Sequence, residues 1–183
     1  MEDISLHILD IAENALKAGA TRIEIHVIED IKNDLLKVQI LDNGKGMDEK
    51  MVQAVTDPFV TTRTERRVGL GLPLLAESAR TAGGDIRIKS DPGKVTIIEA
   101  DFIYSNIDRK PIGDMIQTMI MLIAGNAEIH FHYDHKKNDQ SYCMDTEELR
   151  RHLEEIPINH PDVIGFIRRD MEEGMKELGV VFY

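Results

Sequence analysis

The chain has 183 residues, 42% of them hydrophobic and 30% charged, which is enough for one domain with a sizeable core and a smaller appendage. Its net charge of −11 argues against a general nucleic-acid surface, which needs a basic face, and requires any polyanionic ligand to bring a metal ion or meet a local basic patch. The most apolar stretch, Met115 to Ala124, is broken by Gln117 and Thr118 and is too short to span a bilayer. A single cysteine, Cys143, and acidic residues at the amino end lead us to expect a cytoplasmic setting without a secretory signal.

Residues 4–18 read as a helix closed by Gly19, with Ile8, Ile11, Ala12, Ala15 and Leu16 on one side. On the other side His7, Asp10, Asn14 and Lys17 fall within roughly an 80° arc at about 100° per residue. Such a stripe is either a solvated face or a site for water, magnesium and phosphate. Thr21 to Glu29 is expected as a strand, with Ile23, Ile25 and Val27 in phase.

The next run, Leu35 to Ile40, alternates Leu36, Val38 and Ile40 with Lys37 and Gln39, and carrying that parity forward places Asp42 on the apolar face. A carboxylate there costs several kcal/mol, roughly, unless a backbone or ligand donor meets it. Gly44 and Gly46 let the backbone turn sharply beside it, although Asn43-Gly44 is equally a plain hairpin cue.

Residues 48–55 read as a short helix ended by Asp57-Pro58, because the residue before proline is pushed out of helical dihedrals. The polar run 61–67 is a loop, and Val68-Gly69-Leu70-Gly71-Leu72-Pro73 opens a helix to about Ala82. Its glycines serve either helix–strand packing or an anion at the helix start. Asp85–Ser90 and Lys94–Ile103 form a hairpin around Asp91-Pro92-Gly93.

Four or five of these pieces stand in the order used by one superfamily. Ala12 to Ala20 resembles an asparagine box, Asp42-Asn43-Gly44-Lys45-Gly46-Met47 a first glycine box, and Asp57 to Arg63 the phenylalanine box of histidine kinases. Val68 to Leu72 resembles their second glycine box, and Asp91 to Thr96 the closing hairpin. The chain thus resembles the ATP-binding domain shared by DNA gyrase, the ninety-kilodalton heat-shock chaperones, histidine kinases and MutL repair proteins, over roughly residues 5–103.

The resemblance implies an α+β fold, a two-layer sandwich of helices on a mixed sheet over residues 1–104, with residues 105–183 as a smaller α+β extension. It implies ATP and Mg²⁺ as ligands. Asp42 would accept from the adenine amine and Thr96 would reach the base through water, flanked by Gly44, Gly46 and Met47. Asn14 would supply an oxygen to Mg²⁺. Lys17, Arg63 and the backbone around Gly69, Leu70 and Gly71 would meet the phosphates, with Phe59 and Thr62 beside them and Arg66 and Arg67 as further basic residues near the lid.

In family members that hydrolyse ATP, a glutamate four residues before the asparagine acts as general base, and that position here is Asp10. It is one methylene shorter, and a misplacement of about 1 Å costs on the order of a hundredfold in rate, so slow turnover is expected. Arg67-Val68 stands where kinases have Gly-Thr, and Val95 where a glycine is common, so the chain near the ligand is stiffer than in those relatives. The asparagine box begins close to residue 1, and the expectation is a stand-alone ATP switch or a kinase for another polypeptide, with homodimerisation open. The alternative is a non-catalytic nucleotide-binding or protein-interaction module.

Beyond Pro111 the resemblance ends. Residues 112–124 read as a Met-rich helix, 127–135 and 140–144 as a hairpin, and 145–155 and 161–178 as helices, with Asp145 as a cap. His130 and His132 share a face of the hairpin, and a tight turn would set Cys143 opposite His132. That arrangement is either a polar strand face or three ligands of a transition metal.

Overall fold

The computed structural model describes residues 3–56 and 71–180. Helix α1 spans Ile4–Lys17, capped at its start by the Asp3 carboxylate on the Leu6 N–H. At its end Gly19, at φ 82°, turns the chain so that the Ala20 N–H bonds back to the Ala15 carbonyl. Two strands follow, β1 (Arg22–Asp30) and β2 (Leu35–Asp42), then α2 (Glu49–Thr56) and α3 (Gly71–Thr81), and a hairpin of β3 (Asp85–Asp91) and β4 (Val95–Ile103). The rest supplies α4 (Met115–Gly125), β5 (His130–Lys137), β6 (Gln140–Asp145), α5 (Thr146–His152) and α6 (Pro161–Glu177).

All six strands form one mixed sheet in the order β3-β4-β2-β1-β5-β6, antiparallel except where β5 runs parallel to β1. Residues 105 onward therefore lengthen the sheet of the first hundred residues. A parallel neighbour needs a long crossover, and α4 provides it. Strict alternation in β1, β2 and β4 turns Ile23, Ile25, Leu36, Val38, Ile40 and Ala100 to one buried face. The helices cover that face in the contact order α3, α1, α4, α6. Each fully buried branched side chain is worth about 1.5–3 kcal/mol, so this layer is the main source of stability.

A buried polar cluster interrupts it. Glu29 of β1 accepts from His135 Nε2 of β5 at 2.8 Å and from the Tyr104 hydroxyl at 3.0 Å, and His135 Nδ1 lies 2.8 Å from the Tyr133 hydroxyl. Burial works to raise the Glu29 pKa, but the His135 hydrogen bond and charge and the Tyr104 hydroxyl hold it below the usual carboxylate value. Among the described residues no helix is long and apolar enough to cross a membrane.

Candidate functional site

Strand β2 delivers Asp42 to the inner face of the sheet, opposite Ile23 of β1 and Thr96 of β4, with 8% of its surface exposed. Its Oδ1 accepts the Gly44 N–H at 2.8 Å, the only donor that reaches it among the described residues. Burial pushes the carboxyl up, and the Gly44 N–H offsets this only in part. A Cβ at Gly44 would stand 2.9 Å from that oxygen, so glycine is what lets the carboxylate sit there. Asn43 turns the other way. Its Oδ1 accepts the Thr21 and Arg22 N–H groups at 2.8 and 2.9 Å, clamping the end of β2 to the start of β1.

The turn after Asp42 is held at both sides. The Lys45 N–H donates to Ala18 at the end of α1, and the Lys45 carbonyl accepts from Gly93 in the β3–β4 turn. Gly46 has φ 70°, and a Cβ there would lie 2.6 Å from the Asp91 carbonyl, so both its dihedral and its neighbour exclude a side chain.

Between this turn, α1 and β4 lies a cavity of about 600 Å³, within the range of small-molecule pockets. Its polar wall brings together Asn14, Lys17, Asp42, Lys45 and Thr96, with Gly46 and Met47 beside them. Ile11, Ala15, Met51, Leu72 and Ile98 make the apolar remainder. Among the described residues the wall carries Lys17 and Lys45 against one buried acid, in a protein whose net charge is −11. Lys17 meets Glu13 at 3.5 Å with both side chains largely exposed, a pair too weak to hold the lysine against an incoming anion.

Asp10 is placed differently. It is not part of the cavity wall, and its Oδ2 accepts the Gly71 N–H at 2.6 Å, at the first residue of α3. Gly71 lies against it so closely that a Cβ would fall 2.2 Å from the same oxygen. His7 departs from the expected open stripe: it is fully buried, and among the described residues neither ring nitrogen has a partner. Burial, with Lys110 next, pushes its pKa down to about 4. α4 packs against α1, and the segment before α4 bonds to the first residues of that helix, its Pro111 and Ile112 carbonyls accepting from Ile4 and Ser5. Phe59, Thr62, Arg63, Arg66, Arg67, Gly69 and Leu70 lie outside the described residues.

Two residues at this site escaped the sequence reading. Lys45 was visible inside the glycine box, but nothing local says that its side chain borders the cavity. Ser90 becomes relevant only through register. It faces Thr96 across the hairpin, its hydroxyl 2.9 Å from that of Thr96, and it accepts the Met47 N–H at 2.8 Å.

On the opposite face of the sheet the expected pairing of Cys143 with His132 is two residues off. Cys143 faces Asp134, and His132 faces Asp145. The Asp145 carboxylate accepts from His130 Nε2, at 2.9 Å, and from His132 Nδ1, at 3.0 Å, and also caps α5 on the Glu147 and Glu148 N–H groups. Burial works against ionisation, but these four donors hold the carboxyl well below its usual range. Cys143 Sγ is 3.9 Å from His132 Nε2, and burial with Asp134, Asp145 and Glu148 pushes the thiol up. Among the described residues no three His, Cys, Asp or Glu side chains are arranged to hold a metal ion.

The fold has counterparts. A solved structure of the N-terminal domain of a DNA repair protein superposes with a TM-score of 0.52 at 14% identity, over 79% of this chain and 53% of that one, which speaks for the fold alone. The tetrathionate sensor histidine kinase TtrS of Salmonella typhimurium is 35% identical over 97 residues, covering 51% of this chain and 16% of that protein. The sensor histidine kinase ZraS of Klebsiella oxytoca is 31% identical over 88 residues, covering 48% of this chain and 19% of that protein. The chain thus spans less than a fifth of the length of either kinase. The family model for histidine kinase-, DNA gyrase B-, and HSP90-like ATPases matches residues 2–104, more than half of the chain, with Asn14, Lys17, Asp42 and Thr96 all inside that span. The chain belongs to the family of histidine kinase-, DNA gyrase B- and HSP90-like ATPases.

Proposed function

We propose that the cavity binds Mg-ATP and that the chain uses it slowly, either as an ATP-hydrolysing switch or to phosphorylate a protein partner. The observation that carries this reading is Asp42: a buried acceptor with one oxygen held by Gly44, opposite Thr96, at the wall of a cavity of about 600 Å³. A carboxylate so placed recognises an amine, as on adenine. Asn14 fits Mg²⁺, a hard cation that takes one or two protein oxygens and fills the rest of its shell with water and phosphate. Lys17 and Lys45 supply positive charge for the phosphates. Bound Mg²⁺ would neutralise phosphate charge, while these side chains bind and orient. The relatives named as sensor histidine kinases favour phosphoryl transfer to a protein over free hydrolysis, and both need only a positioned acceptor.

A second reading, a non-catalytic nucleotide-binding module, is favoured by the Asp10 carboxylate, which is occupied by the Gly71 N–H and stands outside the cavity wall. The test for binding is thermal unfolding with Mg-ATP. Saturation at a hundred times Kd adds about 2.7 kcal/mol of stability, and Asp42→Asn removes that gain. No stabilisation at millimolar ATP overturns the proposal. Incubation with γ-labelled ATP, with and without cell extract, separates the two catalytic outcomes: free phosphate marks a hydrolase, and a labelled protein band marks a kinase.

A further inference from the structure

We infer that Ser90 is a positioning residue for nucleotide recognition, acting through Thr96 to set which hydrogen-bonding group the cavity shows beside Asp42. The inference rests on the nucleotide reading of the cavity and deepens it.

Ser90 is not part of the cavity wall, whereas Thr96 is, with 4% of its surface exposed. The Ser90 hydroxyl has one hydrogen and two lone pairs. The Met47 N–H takes one lone pair at 2.8 Å, and Thr96 Oγ1 stands 2.9 Å off, where the Ser90 hydrogen and its second lone pair remain and either hydroxyl can donate. With Ser90 as the donor, the direction inferred here, the Thr96 hydroxyl keeps its own hydrogen for the cavity. The result is an acceptor, Asp42, next to a donor, Thr96, on neighbouring strands. Adenine presents an amine donor beside ring-nitrogen acceptors and complements that order, directly or through one water. Guanine presents a carbonyl oxygen where adenine has the amine, and so sets acceptor against acceptor. The chain Met47–Ser90–Thr96 also ties the glycine turn to the hairpin, so the donor is fixed before a ligand arrives.

The inference is tested by titrating wild type, Ser90→Ala, Ser90→Thr and Thr96→Val with Mg-ATP and Mg-GTP by calorimetry. Ser90→Ala frees the Thr96 rotor and weakens ATP binding by about three- to tenfold, the worth of one hydrogen bond, while GTP binding holds or improves, so that the preference narrows. Ser90→Thr restores it. On a Thr96→Val background Ser90→Ala adds nothing further, because it acts through the missing hydroxyl. Equal loss of ATP and GTP affinity in Ser90→Ala, or undiminished additivity with Thr96→Val, overturns the inference and leaves the nucleotide reading standing. A wild type that binds neither nucleotide overturns both. If Ser90→Ala does not fold, Ser90→Cys, a weak donor and acceptor of similar size, is read the same way.

Discussion

The carboxylate of Asp10 and the backbone N–H of Gly71 meet at 2.6 Å, joining the middle of α1 to the first residue of α3 across 61 positions of sequence. A side-chain oxygen on the first N–H of a helix is a cap, and removing a cap costs about 0.5–2 kcal/mol. Asp10→Ala is therefore expected to lower stability by about 1 kcal/mol, and Asp10→Asn, which keeps an acceptor, by much less. If Asp10 also acts as a base, Asp10→Asn removes phosphate release while leaving the melting temperature nearly unchanged. Parallel denaturation and phosphate-release measurements on both variants separate the two roles.

Gly44 and Gly46 are needed for different reasons, and alanine at each gives a different result. At Gly46 the positive φ and the Asp91 carbonyl both oppose a Cβ, so Gly46→Ala lowers stability by about 1–2 kcal/mol or more. At Gly44 the added carbon meets the Asp42 carboxylate and not the backbone of another strand, so Gly44→Ala lowers ATP affinity more than stability. Urea denaturation and ATP titration of the two variants should rank them in opposite orders.

The Glu29–His135 contact ties β1 to β5, the strand that runs parallel to it. Removing Glu29 leaves His135 Nε2 buried without its partner, and Glu29→Ala is expected to cost about 3–5 kcal/mol. Tyr104→Phe deletes a single hydrogen bond to the same carboxylate and costs about 1 kcal/mol. Chemical denaturation of both variants checks the order, and Glu29→Ala should expose β5 to hydrogen exchange before β2.

His7 makes folding sensitive to mild acid. Its pKa is about 4 in the folded chain against 6.5 when exposed, so between those values the unfolded chain holds a proton that the folded one does not. The neutral-His contribution is complete above pH 6.5 and is lost as pH falls towards 4, by on the order of 2–3 kcal/mol. Wild type should lose stability through that window, and His7→Leu should flatten the slope there. The low-pH losses from Glu29 and Asp145, whose pKa values are lowered, remain in both proteins; they set in as pH falls through the ordinary carboxylate values and are complete only below the lowered ones.

Local physics was legible in the chain itself. Period-two alternation over Leu36, Val38 and Ile40 put Asp42 on the inner face, because a strand sends every second side chain the same way. Gly19 and Asp145 marked helix ends, and Asp91-Pro92-Gly93 marked a hairpin, because caps and turns are short-range events. Only the tertiary structure decided that β5 lies parallel to β1, that His7 is buried, that Asp145 and not Cys143 faces His132, and that Asp10 caps α3 while Ser90 reaches Thr96. Each depends on which distant segments meet and in what register. A parallel crossover or a two-residue slip leaves no trace in local periodicity, since its energy comes from contacts between parts of the chain that the sequence sets far apart.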